Sequence, residues 1–332
     1  MENNKCTLAV SEILKAGRSS LERRGYTEVV VPRIVRATGA CENVNTLFGV
    51  GVDRDMNWFG HQAYLAQTGQ LYLEALVPDL HKVYCAGPSF RAENEVDSRH
   101  LIEFYMMEIE FAGGFTDLLK EIEIYISDIA HQLAAVGIKK DLGISQERLK
   151  QLAACPTTFS KVTYDEALNI LKNKGESINW GDDINSKREA LLVEYFGDQP
   201  LFITHYPDPM SDHGQEIEVE KFFNMLPDSD HPGRVLSSDL ILPFAGEAVG
   251  SAARVHSAEE MKKRLLHSRM FKRLEQMGGS LEDFGWYIAQ LERGSVPHAG
   301  CGFGISRITQ WILGTTNIKE AVTFASNKNN II

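Results

Sequence analysis

The chain has 332 residues, 43% of them apolar, and a formal net charge of −11 from 45 acidic and 34 basic side chains. That length can bury one large core or two modest ones, and the negative balance argues against a general polyanion-binding surface while leaving room for a local basic patch. No apolar run approaches a membrane span, the polar start MENNK is not a secretory signal, and the five cysteines are scattered, with no CxxC or His/Cys cluster to suggest zinc; the expectation is a reduced, cytoplasmic protein with no membrane partner.

Residues 7–24 carry Leu8, Ile13, Leu14 and Leu21 among polar side chains, the spacing of an amphipathic helix closed by Gly25. YTEVVVP then reads as a strand stopped by Pro32. Residues 53–57 form a polar turn, and AYLAQTGQLYLEAL (63–76) reads as strand, turn and helix, with Gln70 either capping that helix or facing a site. Residues 82–91 and 100–111 read as two strands joined by a polar loop at 93–99. Alternation along the second strand puts Phe104, Glu108 and Glu110 on one face and Tyr105, Met107, Ile109 and Phe111 on the other, a polar floor backed by core. Arg91, Arg99 and His100 flank the loop, and arginine forks match phosphate or carboxylate oxygens. A solvated surface hairpin is the other reading of the same pattern.

Residues 115–136 and 145–154 have helical spacing, and 155–200 is loop-rich around the helical VTYDEALNIL. A strand at 200–207 leads into DPMSDHGQEIEV; His205, Asp208, Asp212 and His213 there fit no known metal-ligand spacing and read as a polar loop. In LILPFAGEAVGSAAR (240–254), an unbroken strand would turn Glu247 and Arg254 to opposite faces, so a bulge or break near Gly250 is required. Residues 257–278 and 281–294 read as helices. In PHAGCGFGISRITQWILG, Gly300, Gly302 and Gly304 strip one strand face for a flat ligand, and Ile305, Ile308 and Ile312 place Arg307 in the first turn of a helix. GFGISR lacks the third glycine of a dinucleotide fingerprint, and there is no Walker lysine motif. With no internal repeat or low-complexity linker, residues 1–332 read as a single domain.

FRAE followed by RHLIEF resembles the second signature motif of the class II aminoacyl-tRNA synthetases in its asparaginyl and aspartyl form, and the resemblance runs from Thr7 to about Phe324. It implies an α+β fold, an antiparallel β-sheet flanked by helices, and a homodimer. It implies ATP held at its α-phosphate by Arg91, clasped by Glu93, Arg99 and His100, and sandwiched at adenine between Phe104 and Arg307, with Gly304 alongside. Arg91 and Arg307 become the catalytic pair, and Asp239 and Glu247 the magnesium ligands. Glu42, Gln70, Glu108 and Arg254 become the substrate contacts. There are departures: Asn43 and Val44 replace two glycines of the family's mobile loop, Ser251 replaces a glycine, Ser306 replaces an acid, and the chain ends FASNKNNII where relatives show Phe-Pro-Arg. Leu73 stands where aspartyl enzymes carry a lysine.

The family's N-terminal anticodon-binding barrel has no counterpart before the first motif, so the chain is similar to the archaeal asparagine synthetase related to asparaginyl-tRNA synthetase. The expectation is ATP-dependent activation of aspartate, asparagine or a close analogue as an acyl-adenylate, then transfer to ammonia or another small amine, with tRNA not an expected partner. A synthetase that charges tRNA or a carrier, and a silent paralogue that binds a metabolite, are the alternatives. The joint presence of Arg91, Phe104, Asp239, Glu247 and Arg307 argues against silence.

Overall fold

The computed structural model describes residues 2–36, 44–215, 217–219 and 221–331. Helix α1 (Glu2–Arg23) buries Ala9, Ile13 and Ala16 along one stripe, and Gly25, at φ +81°, ends it. YTEVVVP does not make one strand. It gives β1 (Thr27–Glu28), prolonged by the Val29 N–H donating to the Tyr84 carbonyl at 2.8 Å, and the next strand is β2 (Ile34–Val35), with Pro32, which has no N–H to donate, between them. β2 forms a small antiparallel sheet with β4 (Ala63–Leu65) and β3 (Gly49–Val50). Then follow α2 (Gln70–Leu80), β5 (Lys82–Phe90), β6 (Glu103–Ala112), α3 (Phe115–Gly137) and α4 (Gln146–Ala153).

The stretch read as loop-rich is more ordered than its polarity suggests, holding β7 (Ser160–Thr163), α5 (Tyr164–Asn173) and α6 (Ser186–Tyr195) before β8 (Leu201–Thr204). Thr163 and Asn185 cap the two helices by accepting the N–H groups of Glu166 and Arg188. Residues 240–254 fold as a hairpin of β9 (Ser237–Leu242) and β10 (Gly246–Ala253). The single helix expected at 257–278 is broken into α7 (Ala258–His267) and α8 (Arg269–Gln276), because Ser268 is extended and its hydroxyl caps the second helix through the Phe271 N–H. α9 (Gly285–Arg293), β11 (His298–Gly304) and α10 (Ile305–Leu313) complete the chain.

The fold is α+β. Its main sheet has the order β1-β5-β6-β11-β10-β9-β8-β7, antiparallel except for the parallel pairs at its two ends. The odd face of β6 behaves as the alternation requires: Met107, Ile109 and Phe111 are buried in one apolar cluster with Ile13 of α1 and Leu118, Ile122 and Tyr125 of α3. The even face carries Glu108 and Glu110 and is open to a cavity. Register then explains the glycines of β11, because Gly300 lies opposite Glu110, Gly302 opposite Glu108 and Gly304 opposite Met106. A Cβ on Gly300 would stand 2.1 Å from Glu110 Cδ, and one on Gly302 would stand 2.3 Å from Met106 Cε. Gly300 therefore makes room for the Glu110 side chain, whereas Gly302, under the movable end of Met106, still lines the cavity. Only at Gly304 would an added carbon meet ordinary contacts, the nearest at 3.5 Å.

Candidate active site

A cavity of about 710 Å³ opens on the even face of β6, β11 and β10. It gathers all the residues expected at the site except Glu42, which lies outside the described residues. Arg91 leaves the end of β5 half-buried, with its guanidinium 5.3 Å from the centroid of the Phe104 ring. The loop after it is shaped by Asp97, whose carboxylate accepts the backbone N–H groups of Arg99 and His100 at 2.7 and 2.9 Å and meets the His100 ring at 2.9 Å. Glu93, Arg99 and His100 therefore line the cavity from a tied turn. Arg99 also reaches Glu189 of α6 at 3.3 Å, a partner that no motif marks.

Arg307 sits in the first turn of α10, as its isoleucine spacing requires. Its guanidinium donates to the carbonyls of Ala245 and Arg99 at 2.9 and 3.0 Å, which joins α10 to the β9–β10 turn and to the Arg91 loop. Burial, then the charge of Arg99, pushes its pKa down to about 10, so it stays cationic at neutral pH.

The bulge expected near Gly250 is present, between Glu247 and Val249. It turns Glu247 toward Asp239 of β9: a Cβ built on Gly250 would lie 3.3 Å from Glu247 Oε1 and 3.9 Å from Asp239 Oδ1. Two carboxylate oxygens converging over a bare backbone are a hard-oxygen donor set of the kind magnesium takes from protein, phosphate and water supplying the rest. Lys221 adds a cation that the sequence did not disclose. Its ammonium is 2.7 Å from Asp239 Oδ2 and 3.9 Å from the centroid of the buried Tyr206 ring. The segment holding it has no motif, so only the folded chain shows it.

The inner end of the cavity is a buried charge cluster. Gln70 opens α2 but caps nothing with its side chain; its amide donates to Glu74 Oε1 at 2.7 Å. Glu74 also accepts from Asn224 at 2.8 Å, Tyr287 at 2.5 Å and His298 at 3.2 Å. Glu108 is held by the Thr68 hydroxyl and by the Gly69 N–H at 2.8 Å. Arg254 donates to Glu110 Oε1 at 2.7 Å and to the Gly300 carbonyl at 3.1 Å. The other oxygen, Glu110 Oε2, is buried without a hydrogen-bond partner among the described residues. Sequence reading placed Glu110 on the polar face but gave it no role. Its unsatisfied oxygen, visible only in the fold, marks it as a candidate ligand-reading group.

Burial, working with the Glu74 charge and against Arg254, pushes the Glu110 pKa up to about 7. Burial opposes charge on His298, but its contact with Glu74 prevails and raises its pKa. Both groups therefore hold protons more tightly when folded than when unfolded, and stability falls as pH rises. Their contributions are complete below the unfolded values, about 4.3 for Glu and about 6.5 for His, and are lost as pH climbs through the folded ones. The urea midpoint is expected to be higher at about pH 6 than at about pH 8.5, with Glu110→Gln flattening the slope; a midpoint rising over that interval contradicts it.

The family model for class II tRNA synthetases (D, K and N) matches residues 2–328. The asparagine–tRNA ligase of Pelotomaculum thermopropionicum is 34% identical over 316 residues, covering 95% of this chain and 67% of that protein. The Pyrococcus horikoshii counterpart is 34% identical over 314 residues, and 66% of it is covered, so the chain spans about two thirds of the length of these curated relatives. Among solved structures, asparaginyl-tRNA synthetase from Pyrococcus horikoshii complexed with asparaginyl-adenylate superposes with a TM-score of 0.84 at 31% identity, covering 99% of this chain and 70% of that one. The Entamoeba histolytica asparaginyl-tRNA synthetase with asparaginyl-adenylate gives 0.81 at 26% identity, covering 99% of this chain and 69% of that one. These names carry tRNA, so the expectation that tRNA is not a partner finds no support in them. Among the described residues no helix is long and apolar enough to cross a membrane.

Proposed function

Because the chain belongs to the class II tRNA synthetase family of the D, K and N group, we propose that its cavity condenses ATP with asparagine, aspartate or a close analogue to give an aminoacyl-adenylate. The observation that carries this reading is the meeting of Arg91, Phe104, Arg307, Asp239 and Glu247 around one cavity, drawn from five separate segments. A carboxylate oxygen of the amino acid bonds to the α-phosphorus, the bridging bond to the β-phosphate breaks, and pyrophosphate leaves with the electron pair. No group on the protein needs to move a proton. The work is charge stabilisation and alignment: Arg91 on the phosphoryl and carboxylate oxygens, Arg307 and Phe104 on the nucleotide, and Glu93, Arg99 and His100 over the phosphates. Asp239 and Glu247 would hold magnesium, which when bound neutralises phosphate charge.

For the amino acid, Gln70 and Glu108 stand ready for the α-amino group. Arg254 and the unsatisfied Glu110 Oε2 suit a side-chain amide, whose oxygen accepts and whose nitrogen donates. The relatives' names favour tRNA as acceptor; ammonia, yielding a free amide, is the competing acceptor. Self-association is part of the proposal, since β1 lies at a sheet edge next to Val30, which is fully exposed, with Ile34 52% and Leu8 50% exposed.

The test is amino-acid-dependent exchange of labelled pyrophosphate into ATP across a panel of amino acids, followed by product analysis with tRNA and with ammonium. Exchange that responds to asparagine or aspartate alone is the expected result. Tight ligand binding without exchange under any condition would make the chain a silent paralogue.

A further inference from the structure

Away from the charge cluster at the cavity's inner end, His205, Asp228 and His231 come together from two segments 23 residues apart in sequence, with one ligand atom of each lying within 4.8 Å of the others. The spacing of His205 with Asp208, Asp212 and His213 matched no metal pattern because its partners lie elsewhere. His205 follows β8 at φ +58°, packed against the edge of Phe115 with ring centroids 5.4 Å apart. His231 lies in the turn before β9, its ring centroid 5.5 Å from that of His205.

The Thr204 hydroxyl oxygen lies 2.8 Å from His205 Nδ1 and 3.4 Å from the Val162 carbonyl. When Nδ1–H donates to that oxygen and the hydroxyl donates on to Val162, Nε2 of the neutral ring is left with a lone pair 3.6 Å from Asp228 Oδ2. In that tautomer a metal cation between the two atoms removes their repulsion, as a proton on Nε2 does in the other. His231 Nδ1 is 2.7 Å from that same oxygen, and the other Asp228 oxygen accepts the Asp230 N–H at 2.9 Å.

We propose that His205 Nε2, His231 Nδ1 and Asp228 Oδ2 form a binding site for a divalent transition cation of borderline softness, with zinc as the fitting probe. Zinc bonds to N and O of about 2.0–2.2 Å put tetrahedral ligand atoms roughly 3.3–3.6 Å apart; the separations to Asp228 Oδ2 are 2.7 and 3.6 Å and all three atoms lie within 4.8 Å, so the exposed His231 ring has to shift for the ion to enter. Imidazole and carboxylate together suit zinc better than magnesium. Thr204 acts as the outer hydrogen-bond partner that orients the His205 ring. His231 is well exposed, its side chain 68% accessible, which leaves a coordination position to water. Binding would clamp the end of β8 to the turn before β9. Tyr206, the neighbour of His205, lines the nucleotide cavity beneath Lys221, so the clamp would steady that wall. The site does not depend on the adenylation reading.

The test is isothermal titration of zinc into the chelator-stripped chain of 332 residues in excess magnesium, which occupies hard-oxygen carboxylates. One equivalent should bind, and His231→Asn, a surface change, should weaken binding by roughly a hundredfold. Thr204→Val, removing the acceptor for Nδ1–H, should weaken it by roughly tenfold. Cobalt(II) should give visible d–d bands in the parent protein that His231→Asn lacks. Absence of a stoichiometric site, or uptake unchanged in His231→Asn, overturns the proposal.

Discussion

Arg91→Ala is expected to lower amino-acid-dependent ATP–pyrophosphate exchange by about a thousandfold, the upper end of the loss when one preorganised charge donor is removed from a transition state. The reason lies in what Arg91 does in the folded chain, which is little. It makes no ion pair with any described carboxylate and only overlies Phe104, 5.3 Å from its centroid. A stacked, half-exposed cation of that kind contributes about 0.5–1 kcal/mol to stability. The thermal midpoint should therefore move by no more than a few degrees while the exchange rate collapses. Arg307 offers no such clean separation, because it also ties α10 to the carbonyls of Ala245 and Arg99. Arg91→Lys keeps a charge but loses the planar fork, so it should recover only part of the rate. Exchange within about threefold of the parent in a folded Arg91→Ala protein would remove Arg91 from the chemistry and, with it, the proposed role of the cavity.

The parts of this site that could be read from the sequence were those written as a local period. Alternation along 103–112 gave both faces of β6. Isoleucine spacing gave Arg307 its place in α10. The conflict between Glu247 and Arg254 required a bulge, and the structure has one between Glu247 and Val249. What stayed hidden depends on pairing across the sheet or between distant segments. Gly300 looked like space for a ligand, because its register against Glu110 cannot be seen in one strand. Lys221 and Glu189 lie in segments without a motif, Glu74 was passed over inside 63–76, and each gains its meaning only from a partner on another element. The break at Ser268 was missed because helical periodicity runs through 257–278, and a serine hydroxyl turned to cap α8 changes direction without changing that period.

The largest loss of stability is expected from Arg254→Met. Arg254, Glu110, Glu74 and His298 form a buried set in which two carboxylates lie against one guanidinium and one imidazole. Removing one partner of a buried pair typically costs about 3–5 kcal/mol, because the remaining charge has no compensation. Glu110 has an escape that most buried carboxylates lack. Its pKa is already pushed up to about 7, and without Arg254 it rises further, so at low pH it simply keeps its proton. The cost of Arg254→Met should therefore be near the top of that range at about pH 8.5 and clearly smaller at about pH 6. Arg254→Met combined with Glu110→Gln should regain much of the loss at the higher pH, since the amide needs no counter-charge, although Glu74 still loses one of its two cations. Urea denaturation of the four members of this cycle at both pH values gives the coupling directly. A coupling below about 0.5 kcal/mol at the higher pH would mean that the contact at Glu110 Oε1 is geometric only. Arg254 would then be free to serve the substrate alone, and the inner wall of the cavity would owe its shape to Glu74 and His298.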